Sequence, residues 1–206
     1  MSDAQVREPY DPGASGEERA QSRFGSTQRA LAFYRQQVVS ELNEAMKKFI
    51  QEQECVFIAT ANVHGAADSS FRAGPAGFVH ILSPQRLAYH EYRGNGVMAS
   101  VGNILENPQI GLMFIDFFKS TIGLHVNGAA RVIENDGLAK EPGVTNALLQ
   151  DAAVKGGRHP ECWIIVDVKE AYIHCSKHIP LLEKKNKQVH WGTDNEHDKR
   201  GTFFQP

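Results

Sequence analysis

Cysteine is scarce in this chain: 206 residues carry three thiols, Cys55, Cys162 and Cys175. An odd, widely spaced set makes no disulfide framework. That excludes the small stapled scaffolds of secreted proteins and fits a reducing compartment, the cytoplasm. Charge of one sign is lacking too. With 22 Lys and Arg against 24 Asp and Glu, the net charge is −2 and nothing basic dominates, so no nucleic-acid partner is expected. No apolar run approaches the roughly 20 residues a membrane-spanning helix needs, and the first residues lack the charged-then-apolar pattern of a secretory signal. Also missing are a Gly-x-Ser-x-Gly elbow, a cysteine set in a His–Asp pattern and paired carboxylates on the strand-like segments. Serine-hydrolase, thiol and glycosidase chemistry therefore find no candidates. His159-x-x-Cys162 and His174-Cys175-x-x-His178 have ligand-like spacing, but no carboxylate pattern supports them, and no metal is expected.

What is present suits a globular core. Apolar residues make up 41% of the chain, and the length is that of one domain with appendages. Residues 1–25, rich in Gly, Pro, Glu and Arg, read as a flexible arm. Ser26 or Thr27 can cap a helix running to about Gln53, with Leu31, Tyr34, Val38, Val39, Leu42, Met46, Phe49 and Ile50 as its apolar face. Strand patterns follow at Cys55–Thr60, Ala66–Arg72, Phe78–Leu82, Arg86–Glu91, Ile110–Phe118, Thr121–Glu134 and Cys162–Cys175. Asn62-Val63-His64-Gly65 and Ser83-Pro84-Gln85 mark hairpin turns. The stretch 136–160 is Gly- and Pro-rich and reads as an irregular excursion with one short helix near 145–154. Lys177 to Lys187 reads as a short basic helix, and the rest is a tail anchored by Trp191. Short strands in local order with few crossover helices favour an antiparallel barrel, mainly β, with flanking helices.

The stretch from Arg93 to Phe118 organises the chain. Arg93-Gly94-Asn95-Gly96 is a polar glycine loop. After it, Val97, Val101, Ile104 and Leu105 fall on one helical face, and Asn107-Pro108 ends the helix. Asn95 is placed to cap that helix, which would set free N–H groups and the helix dipole beside the Arg93 cation, a phosphate-binding pattern. Arg72 offers a second planar fork for a phosphate monoester at the end of a strand of small and polar residues, Ala67, Asp68, Ser69, Ser70 and Ala73. That strand looks like a face against which something flat could lie. Tyr89 and Tyr92 could add hydroxyls there or simply pack.

The order of C-V-F-I-A-T, H-G-A-A-D-S-S-F-R-A-G-P-A-G-F-V, L-A-Y-H-E-Y-R-G-N-G-V-M-A-S-V-G-N-I-L-E-N-P-Q-I-G-L-M-F and H-V-N-G-A-A-R-V-I resembles the pyridoxamine 5′-phosphate oxidase-like flavoproteins. The likeness covers roughly residues 50–135, with a weaker match through 162–175. It implies an antiparallel Greek-key split barrel over residues 26–175, a homodimer, and an FMN-dependent oxidoreductase acting on a small redox substrate. By the same likeness Ser70 and Arg72 would contact the flavin and its phosphate, and backbone at Phe71 and Ala73 would face the ring. Tyr89, Arg93, Asn95, Gly96 and Asn103 would complete the phosphate and ribityl contacts. Residues 176–206, with Lys177, His190 and Trp191, would cover the flavin edge of the neighbouring subunit. The end of the chain, Q-V-H-W-G-T, lacks the Arg-x-His motif with which the name-giving enzymes grip the vitamin phosphate, so vitamin oxidation is not implied. Related sub-groups use a deazaflavin or bind haem, and a deazaflavin reductase or a non-catalytic flavin-binding module stays open.

Overall fold

Val56, Ile58 and Thr60 point one way along the strand β1 (Cys55–Ala61) and are buried, while their neighbours are more exposed, the period-two signature of a half-buried strand. In the computed structural model, which describes residues 14–152, 160–193, 195 and 197, this strand starts a sheet of seven. The others are β2 (Ala67–Ala73), β3 (His80–Ser83), β4 (Arg86–Glu91), β5 (Gln109–Ile115), β6 (Gly123–Ile133) and β7 (Cys162–His174). The order is β2-β1-β5-β6-β7-β4-β3, and every pairing is antiparallel. Reading back from β7, the spatial order β4-β7-β6-β5 is a Greek key. β2 and β3 are the two ends of the sheet and do not pair with each other, so the curled sheet stays split between them.

The curl is built into β6 and β7. Their register shifts between Asn127 and Gly128. A Cβ on Gly128 would lie 2.2 Å from the Asp167 carbonyl oxygen, so only glycine lets the two backbones approach this closely. Inside the curl, Val56, Ile58, Leu87, Tyr89, Leu112, Phe114, Val126, Ile164 and Val166 form one core. β7 is buried on both faces. Ile164 and Val166 face inward, and Trp163 and Ile165 face outward into a second cluster with Ala88, Leu138 and Leu148. That second cluster accounts for the excursion after β6: its 3₁₀ turn Leu138–Lys140 and one helix cover the outer side of β4 and β7. Arg131 on β6 pins it through both carboxylate oxygens of Glu141.

Three helices precede the sheet. They are α1 (Ala14–Phe24), α2 (Thr27–Gln37) and α3 (Glu44–Gln51); α4 (Ala99–Glu106) lies between β4 and β5, and α5 (Asn146–Ala152) between β6 and β7. Two expectations change here. Residues 14–24 of the expected flexible arm are helical, with Tyr34 of α2 hydrogen-bonded to Glu17 and Gln21 of α1; residues 1–13 lie outside the described residues. The single helix expected over 26–53 is broken between Gln37 and Glu44. Val39 makes an isolated backbone bridge with Ala171 of β7, and Asn43 restarts the helix by accepting from Met46 N at 2.9 Å. β-branched Val38 and Val39 pay little for leaving the helix. Ser26 precedes α2 but gives no side-chain cap.

Candidate functional site

β2 alternates its side chains across the strand. Phe71 points outward onto Phe57 of β1, with ring centroids 5.4 Å apart. Arg72 points the other way, into the split, and reaches Glu91 of β4. So Ser70 and Arg72 share one side, and Phe71 and Ala73 share the other. The small-residue strand does not make the single flat face expected from composition.

Arg72 is held from four sides. Its Nε donates to both carboxylate oxygens of Glu91, at 2.9 and 2.8 Å. Nη1 donates to Ser70 Oγ at 2.7 Å and to the Phe71 carbonyl at 3.1 Å. Nη2 donates to Ser100 Oγ at 3.3 Å. Ser100, on the first turn of α4, donates its own hydroxyl hydrogen bond to Asp68 Oδ2 at 2.9 Å. Two elements far apart in sequence, β2 and β4, thus meet the start of α4 at one guanidinium. Burial pushes the Glu91 carboxyl above the ordinary carboxylate value, against the pull of Arg72.

The start of α4 differs from the expected geometry. Asn95 is not its cap: Asn95 Oδ1 accepts from Val97 N at 3.0 Å, a turn within the loop. Gly96 N is bonded to the Arg93 carbonyl in the same loop. The helix begins after Met98, which has φ of 55° and supplies no side-chain cap. Its first backbone bond runs from Gly102 N to Met98 O, so the N–H groups of Ala99, Ser100 and Val101 have no partner within the helix. Val101 and Ile104 are buried, but Val97 and Leu105 are 71% and 72% exposed, which narrows the expected apolar face to two residues. Asn103, one turn after Ser100, donates from Nδ2 to Thr60 Oγ1.

Other expected site residues fall elsewhere. Tyr89 is fully buried in the barrel core, its hydroxyl without a hydrogen-bond partner among the described residues and pushed well above the ordinary phenol value by burial. It is an interior residue rather than a wall of an open site. Arg93 is exposed and pairs with Glu161 at 2.8 Å, and none of its hydrogen bonds goes to Arg72, Ser100 or Asn103. The segment after β7 is not the expected basic helix. It is a 3₁₀ turn, Ser176–His178, carrying exposed Lys177, and then an irregular chain that runs back over its own barrel. Leu182 N donates to the Phe117 carbonyl at 2.7 Å, and Lys184 reaches Glu54. Gly192, at φ of 67°, sits so close to Tyr92 that a Cβ would lie 2.5 Å from the ring. Half-buried Trp191 is therefore carried to the end of β4 on its own chain, with exposed His190 beside it. Glu91 and Ser100 were absent from the expected set. The sequence signal for Ser100 was its place in the first turn of α4; Glu91 carried none.

Among the described residues, no group of three or more His, Cys, Asp or Glu is placed to hold a metal ion, and no helix is long and apolar enough to cross a membrane.

A mainly antiparallel split barrel with a polar cluster where β2, β4 and α4 meet defines the class. The chain belongs to the pyridoxamine 5′-phosphate oxidase family, whose model matches residues 42–175. A comparison with curated protein sequences finds none that matches. Among solved structures, HupZ of Group A Streptococcus is 20% identical with a TM-score of 0.48, covering 64% of this chain and 93% of its own. The heme storage protein HutZ of Vibrio cholerae is 16% identical with a TM-score of 0.42, covering 65% of this chain and 94% of its own. A protein described as an F420 reductase is 14% identical with a TM-score of 0.42, covering 65% of this chain and 98% of its own.

Proposed function

We propose that the protein is an FMN-binding oxidoreductase, a cytoplasmic homodimer acting on a small redox substrate. The observation that carries this reading is Arg72 set against the uncapped first turn of α4. A guanidinium, a serine hydroxyl and N–H groups at a helix start are the donor set a phosphate monoester needs. Gly94 and Gly96 leave open space beside the loop, where a Cβ would meet nothing within 4 Å. The donors fit the phosphate end of FMN; the carboxylates of Glu91 and Asp68 are set against it. Arg72, Ser70 and Ser100 would hold that phosphate. Asn103 would turn its carbonyl oxygen to the ribityl chain, and the backbone at Phe71 and Ala73 would face the ring. Arg93, Asn95 and Gly96 would line the loop side. Bound flavin supplies hydride and electron transfer; the chain supplies orientation and exclusion of water. Exposed Phe71, at 54%, gives the outer side of β2 an apolar surface that a second subunit would cover. Lys177, His190 and Trp191 would close the rim of the site from the tail.

The test is direct. Purified protein titrated with FMN should quench flavin fluorescence at one site per chain and show a structured flavin spectrum. A nicotinamide donor should then reduce the flavin, with turnover of a quinone or dye. Absence of FMN binding would remove the reading; binding without turnover would leave a flavin-binding module.

A further inference from the structure

Among the described residues, the Glu91 carboxylate has Arg72 as its only hydrogen-bond and ion-pair partner, although Glu91 is just 3% exposed. The ionisable groups around it are few. β2 brings Arg72 and Asp68, the latter through Ser100. β4 itself brings Tyr89, fully buried with an unpartnered hydroxyl. β7 brings buried Cys162, the ladder partner of Glu91, and the residue before it, Glu161, is engaged by Arg93. α4 contributes only neutral Ser100. One guanidinium thus pairs directly with Glu91 and is linked through Ser100 to a second carboxylate, Asp68. A phosphate monoester docking on the same guanidinium would add up to two further negative charges.

A buried carboxylate that must share its only cation is strongly disfavoured, and the usual relief is a proton. Resting on the FMN reading above, we propose that Glu91 takes up a proton from solvent when a phosphate monoester binds at Arg72, and so determines how far the site prefers a phosphorylated ligand over its unphosphorylated analogue. The proton goes to a carboxylate oxygen, no other bond changes, and the charge of Arg72 becomes available to the phosphate. Tyr89, whose hydroxyl feels the charge of Glu91, is neutral and adds no second cation to the carboxylate. Glu91 is then a positioning residue: through Nε it orients the guanidinium fork toward Ser70 and Ser100.

Titration calorimetry of the full chain, in buffers of different ionisation enthalpy at about pH 7.5, tests this. A phosphate monoester is already mainly dianionic there, so it contributes almost no proton change of its own. Wild-type protein should take up about one proton with FMN and none with riboflavin. Glu91→Gln should take up none with either, and its preference for FMN over riboflavin should rise by about tenfold or more, the equivalent of at least one pK unit. FMN binding to the wild type without proton uptake would overturn this inference and leave the flavin site standing. Equal uptake in wild type and variant would also overturn it. Failure of the wild type to bind FMN at all would instead remove the site reading on which it rests. The wild-type measurement does not depend on the variant folding.

Discussion

Asn103 Nδ2 donates to Thr60 Oγ1 over 3.0 Å and ties the middle of α4 to the inner side of β1. Thr60 is only 4% exposed, so its hydroxyl has little water to turn to. Asn103→Ala should therefore lower stability by about 0.5–1.5 kcal/mol, the net value of such a bond, as well as weaken FMN binding. Urea unfolding of the flavin-free protein checks the first effect. An unchanged midpoint would show that Asn103 serves the ligand alone.

Ile104 and Leu105 are neighbours with opposite surroundings. Ile104 is 4% exposed and Leu105 is 72% exposed. Ile104→Ala should cost about 2–5 kcal/mol through loss of burial and a cavity, while Leu105→Ala should stay within about 0.5 kcal/mol of the wild type. Denaturation midpoints of the pair decide it.

The three thiols should react in a set order with an aromatic disulfide reagent. Cys175 is exposed, Cys55 is half-buried and Cys162 is buried. Burial pushes the Cys55 thiol up, and burial with the nearby Glu91 and Glu161 charges pushes Cys162 up to about 11. At about pH 8 only roughly one Cys162 in a thousand would be thiolate, the nucleophilic form. One fast thiol, one slow thiol and one released only by denaturant is the expected count.

His125 and His174 face each other across β6 and β7, with 2.8 Å between Nε2 and Nδ1, and His125 stacks on Tyr172 with centroids 4.7 Å apart. Burial and His174 hold the His125 imidazolium below its ordinary value of 6.5. The unfolded chain then takes the proton first on acidification. Stability from this group is full above about 6.5 and is lost as pH falls toward the lower folded value. Thermal melts should show Tm falling as pH drops below about 6.5, with a shallower fall in His125→Asn. Equal slopes would mean that His125 does not titrate differently in the folded state.

Much of the sheet was legible before any coordinates. The turn at Asn62–Gly65, the hairpin around Pro84 and the alternation along β7 are local signals, since each needs only neighbours in sequence. The helix break at Val38–Asn43 was also written locally, in two β-branched residues and an asparagine before a glutamate, but the apolar periodicity across it read as continuous. The cap of α4 was misread because Asn95 satisfies the loop itself, leaving Met98 in a left-handed conformation as the helix start.

The candidate site shows where sequence stops. Arg72 was marked by its type and by the polar strand around it, and Asn103 only by the family resemblance. Composition and pattern alone settled a mainly β domain and the segments that would pair. What only the tertiary structure decided is which groups meet: Glu91, which looked like an ordinary strand-end carboxylate, is buried against Arg72, and Tyr89 is turned inward into the core. The physical reason is the split between β2 and β3. Those end strands are held in place by the curl of the whole sheet at the Gly128 bulge, a long-range property that no window of neighbouring residues encodes.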